Sequence, residues 1–263
     1  MAKATQPGST VHIVLGAASA LAWLLLALDR HADPGAGVCA AVPAGPVAFA
    51  AVHPAAASLV PLLHWITGWT LMCAAMMLPL LLAPLIFVRD RSFADRRRRS
   101  MFLFVVGYWA VWMVAGLGLQ VMVLAAHGLA PGPLAWSPAA LVALIWQFSP
   151  AKQWALNRCH RLPALAASGA AADRDALLFG LRHAGACVAA CWALMLLLMS
   201  LDGMNGPAMV AVTLFVLAER FERPAARRWT WRWPGRLLRI AVAQLRARAA
   251  AALAYPQGLA VRR

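Results

Sequence analysis

Charge is scarce in this chain. Asp, Glu, Lys and Arg make up 13% of its 263 residues, about half the usual share of a soluble domain. Hydrophobic residues make up 63%, too many to hide from water by folding alone, so a soluble globular class is excluded. Acidic residues are scarcer still, nine against 24 basic ones. The net charge of +15 does not indicate nucleic acid, because the arginines cluster between apolar runs with no reading motif beside them. Cysteine numbers five, which excludes an even disulfide framework. Only Cys39 falls in a segment expected to face an oxidising compartment; the others read as free thiols or ligands. Catalytic signatures are missing as well. No Walker loop, nucleophile elbow, HExxH or working pair of carboxylates occurs, so the chain is not read as an enzyme. No internal repeat or paired-half symmetry is visible.

What the chain does have is long apolar runs, and a crossing needs about 20 such residues. Six are predicted: 11–28, 64–88, 101–126, 139–154, 183–201 and 207–218. The first exceeds a signal-peptide core and reads as an uncleaved span. The fourth is weakened by Gln147 and Lys152, and the sixth is short. Between the second and third lies RDRSFADRRRRS, six arginines against two aspartates. Basic loops stay in the cytoplasm, and placing both termini inside makes them agree. The expected fold is an all-α polytopic membrane helix bundle of six spans, N-in and C-in, over residues 1–220. Residues 221–263 form a Trp/Arg-rich cytoplasmic tail. After Glu219 the chain carries eleven arginines, interleaved with Trp229, Trp231 and Trp233. Residues 234–255 have the spacing of an amphipathic helix on the inner leaflet; a disordered basic tail is the alternative.

Sulfur is the informative chemistry. Cys187, Cys191, Met195 and Met199 recur every four residues inside the fifth span. Positions four apart share a helix face, drifting about 40° per step. The second span carries Met72, Cys73, Met76 and Met77. Thiolates and thioethers are soft ligands that favour Cu(I). If the second and fifth spans touch, their sulfurs overlap in height and form a ladder across much of the bilayer. Met76, Met77, Met195 and Met199 could instead pack against Trp69, Trp109, Trp112 and Trp192, with Gly68, Ala74, Ala75, Gly185, Ala186, Ala189 and Ala190 letting helices approach. Cys159 and His160 adjoin in a basic inner loop that suits a thiolate and a docking point for metal. His183 precedes Cys187 by one turn. His31, His53, His64 and His127 stand on the outer side, where imidazole could deliver or receive metal. Asp202 and Glu219 border the last two spans, and Glu219 is expected to pair with Arg220 or Arg223 as a boundary charge.

Three stretches carry a resemblance: WTLMCAAMMLP (69–79), WQFSPAKQWALNRCHRLPAL (146–165) and GLRHAGACVAACWALMLLLMSLDGMN (180–205). Together they resemble the bacterial family of predicted metal-binding integral membrane proteins described as copper chaperones, over roughly residues 60 to 220. By motif, the resemblance marks Met72, Met76, Met77, Cys159, Cys187, Cys191, Trp192, Met195, Met204 and Asn205. Ala155 and Ala190 stand where many members have further cysteines. The sulfur pattern and the resemblance together point to a bacterial inner-membrane, multi-pass protein holding Cu(I) through Cys187, Cys191, Met195, Met199, Met72, Met76, Met77 and Cys159. It would pass the ion to a cuproprotein or an oxidase-assembly partner. A metal-free membrane scaffold anchoring a partner through its tail is the first alternative. A small metal permease is the second, and the sequence favours it least, showing neither broken half-helices nor a buried charge pair.

Overall fold

The computed structural model describes residues 7–32, 59–129, 136–201, 206–231 and 233–254. Within them every regular element is helical: α1 (Pro7–Ala32), α2 (Leu59–Met77), a 3-10 turn (Leu78–Leu81), α3 (Leu82–Arg91), α4 (Arg97–Leu129), α5 (Ser137–Phe148), α6 (Pro150–Cys159), α7 (Gly169–Ser200), α8 (Gly206–Phe221) and α9 (Arg236–Ala254).

Among the described residues, four stretches are long and apolar enough to cross a membrane: Thr10–Leu28, Trp65–Arg91, Arg97–Ala125 and Gly169–Ser200. They answer to the first, second, third and fifth predicted spans. The other two differ from expectation. The fourth is broken into α5 and α6, because Pro150 drives Ser149 into an extended conformation (ψ 144°) and removes a backbone donor. The Ser149 hydroxyl then caps α6 by accepting from the Lys152 N–H at 3.1 Å. The sixth, α8, has 16 residues and is about 24 Å long, short of a hydrocarbon core of about 30 Å. The fifth span begins earlier than its apolar run, at Gly169. That residue ends the preceding loop at φ 74°, which glycine adopts without strain. Part of the basic inner loop expected around Cys159 and His160 is therefore helix.

The centre of the bundle is the α4–α7 pair, in contact along most of its length. Bare backbone makes this approach. A Cβ on Gly180 would lie 2.2 Å from the Phe104 carbonyl oxygen, and one on Gly107 2.6 Å from that of Leu177. Small residues at a crossing let membrane helices gain packing that side chains would block. Gly185, expected to serve this role, faces open space. Gly116 receives the Trp69 indole, whose Nε1–H donates to the Trp112 carbonyl at 2.9 Å. α1 is tied on where Ser19 Oγ donates to the Ala75 carbonyl at 2.8 Å. Apolar side chains turned outward, among them Ile13, Leu24, Val114, Leu117, Leu141 and Leu214, coat the periphery as lipid-facing residues do.

At one end Asp173, in the first turns of α7, takes Arg96 and Arg99 at 2.7 Å each. The tail helix α9 forms as the spacing suggested and carries exposed Leu238, Ile240, Val242 and Leu245. Its start is fastened by the Arg236 N–H to Glu222 Oε1 (2.7 Å), and Trp231 leans on Phe148 and Phe215.

Candidate metal centre

The four-residue spacing on α7 puts its sulfurs on the face turned into the bundle. Cys187, Cys191 and Met195 are at most 3% exposed and Met199 is 9%. On α2, Met72, Cys73, Met76 and Met77 are buried equally deeply. All eight belong to one continuous apolar core. The two sulfur-bearing helices are not close backbone neighbours. α2 lies against α1 and touches α4 and α8, whereas α7 packs on α4, α5, α6 and α8. The two sets share the same core cluster, to which α4 and α8 also contribute. The tryptophans largely pair with each other, Trp65 with Trp69, Trp69 with Trp112 and Trp146 with Trp192.

Cys187 is the best-defined thiol. The Tyr108 hydroxyl donates to its sulfur at 3.4 Å, and the Cys191 thiol donates to its carbonyl oxygen at 3.1 Å. An O–H donor aimed at sulfur supports negative charge there. One turn away, His183 Nε2 lies 3.0 Å from Arg220 Nη2. Guanidinium has only donors, so Nε2 accepts and the ring proton sits on Nδ1, which finds no hydrogen-bond partner. Among the described residues no three His, Cys, Asp or Glu side chains converge on one point. A centre here must draw on methionine, and buried thiol with thioether is the donor set that suits a soft monovalent ion and not Mg²⁺ or Ca²⁺.

Cys159, expected in a loop, is the buried last residue of α6. Burial and the Arg236 guanidinium hold the imidazole of His160 below its ordinary value. His31, His64 and His127 fall on α1, α2 and α4, while Cys39, His53, Asp202, Met204 and Asn205 lie outside the described residues.

Glu219 pairs with neither Arg220 nor Arg223. Its Oε1 receives Lys152 Nζ at 2.6 Å and Gln147 Nε2 at 2.6 Å, and Lys152 also donates to Gln147 Oε1. Side chains one apart on a helix point in different directions, so Arg220 turns to His183 while Glu219 faces inward. The helix break carries Lys152 to it. The ammonium and carboxylate side chains are 3% and 9% exposed. The buried charge pair and broken helix that the sequence did not reveal are both present. Sequence reasoning also passed over Tyr108 and the buried Met209 of α8. Nothing in the spacing marks Tyr108, whose role depends on α4 crossing α7.

An all-helical bundle with, among the described residues, four apolar helices of membrane-crossing length and with sulfur turned inward is compatible with a multi-pass membrane protein. The chain belongs to the PpoB2 family, described as a copper chaperone, whose model matches residues 66–244. The match runs from α2 into α9 and leaves α1 outside it. No curated protein and no solved structure matches the chain.

Proposed function

We propose that this protein carries Cu(I) in the bacterial inner membrane and hands it to a cuproprotein or oxidase under assembly. The observation that carries the reading is the burial of Cys187, Cys191, Met195, Met72, Met76 and Met77, each at most 3% exposed, within one core. Sulfur kept from water and lipid is poised for a soft ion and protected from oxidation. Copper is the cargo here. Cys187 and Cys191 supply the charged donors, the methionines of α2 and α7 supply neutral ones, and Cys159 is a further thiol near the basic side. The broken α5–α6 pair and α8 complete two further crossings, for six spans with both ends inside. The test is copper per protein after anaerobic purification, compared with a Cys187→Ser/Cys191→Ser variant. The proposal expects near-stoichiometric copper that falls at least tenfold in the variant. Unchanged copper removes it, and a metal-free protein whose function is lost only on tail truncation favours the scaffold reading.

One observation favours a permease as a second reading. A broken helix beside a buried Lys152–Glu219 pair is how transporters place polar groups at membrane depth. Copper uptake into sealed vesicles that is abolished by Lys152→Met would select it over the chaperone.

A further inference from the structure

Beside the sulfur core lies a cavity of about 570 Å³, lined by Arg158, Arg161, Leu162, Pro163, Phe179, Arg182 and His183. Its size is that of a small-molecule site, about 300–1,000 Å³. No carboxylate lines it, and its three arginines enter none of the ion pairs among the described residues. Arg158 is braced over the Trp154 ring at 4.2 Å. His183 is 4% exposed and sits on α7 one turn before Cys187, about 6 Å along the axis. The cavity thus carries three arginines in its wall together with His183, one turn from the first thiol of the stripe.

A bare copper cation is repelled by such a lining. A Cu(I) ion held between two thiolates carries net negative charge, and carboxylates on the carrier add more. We infer that the cavity receives copper as an anionic complex with a small carboxylate-bearing thiol, whose carboxylates Arg158, Arg161 and Arg182 bind. This rests on the copper reading above. Transfer is ligand exchange with no change of oxidation state. The Cys187 thiol gives up its proton as its sulfur bonds to copper. One carrier copper–sulfur bond breaks, and the departing thiolate takes a proton. Cys191 displaces the second thiolate in the same way.

Two measurements on the full-length protein in detergent test this. The first titrates S-methylglutathione, an anion of the right class that cannot hold copper as a thiolate. Wild type should bind it. Arg161→Gln/Arg182→Gln, two exposed positions, should weaken it at least tenfold, since one charge-assisted hydrogen bond is worth about a decade of affinity. Arg98→Gln/Arg228→Gln removes equal charge elsewhere on the surface and should change it less than twofold. The second measures copper loading from the anionic glutathione complex and from the cationic acetonitrile complex. The cavity variant should slow the first at least tenfold and leave the second unchanged. Absent analogue binding, equal weakening in both double variants, or equal slowing from both donors overturns the inference. So does native mass spectrometry that finds phosphatidylglycerol seated there and undisplaced by the analogue. Normal loading from the acetonitrile complex with no analogue binding sinks this inference alone. No loading from either donor sinks the copper reading, and this step with it.

Discussion

Replacing Lys152 with methionine removes the ammonium and keeps the volume of its stem. Glu219 is then left 9% exposed with Gln147 as its remaining partner. Removing one member of a buried pair costs about 3–5 kcal/mol, because the other charge stays desolvated and uncompensated. Total stabilities run about 5–15 kcal/mol, so this is about a fifth of the whole or more. Lys152→Met/Glu219→Gln removes both charges and retains a hydrogen bond to Gln147. It should cost less than either single variant, so the coupling energy, which is the two single costs less the double cost, exceeds one single cost and is about 3 kcal/mol or more. Glu219→Gln alone should cost nearly as much as Lys152→Met. The assay is equilibrium unfolding of purified protein in mixed micelles with rising dodecyl sulfate, followed by tryptophan fluorescence. Single-variant costs below about 1 kcal/mol, or strictly additive costs in the double variant, would refute the reasoning. The pair would then behave as a surface ion pair.

Gly180→Val should splay the α4–α7 pair, since even a Cβ meets backbone at 2.2 Å; a destabilisation of at least about 1–3 kcal/mol is expected in the same assay. Tyr108→Phe deletes the donor to Cys187 at little cost in volume. It should lower stability by about 1 kcal/mol and weaken Cu(I) affinity several-fold in competition with a chromophoric chelator, whereas Trp109→Phe should not alter affinity. Asp173→Asn weakens the hold on part-buried Arg96 and exposed Arg99, and should cost about 1 kcal/mol or less, a difference that salt diminishes.

Hydropathy located the helices because bilayer-length runs of Leu, Val and Ala leave little choice of structure. It misjudged where α7 begins. Asp173, Arg174 and Asp175 lower the apolar average while leaving the Ala-rich segment a good helix former, so charge was read as loop. The break at Ser149–Pro150 was written in the chain, since the residue before proline avoids the helical region; an apolar average over residues 139–154 concealed it. Lys152 and Glu219 also gave a signal, as one of two lysines and one of two glutamates in the chain. Their pairing spans 67 positions, and no local pattern encodes a contact of that range. The inward face of the α7 sulfurs was legible, because a four-residue repeat fixes a shared face whatever that face meets. What it meets is set by tertiary packing: Tyr108 from α4, and α2 held largely against α1.

The central claim is sulfur coordination of Cu(I) by Cys187, Cys191 and the neighbouring methionines. X-ray absorption at the copper edge of the loaded, reduced protein tests it most directly. The account predicts a monovalent edge and a first shell of sulfur alone, lost in Cys187→Ser/Cys191→Ser. A shell of nitrogen or oxygen, or the same sulfur shell in that variant, would contradict it.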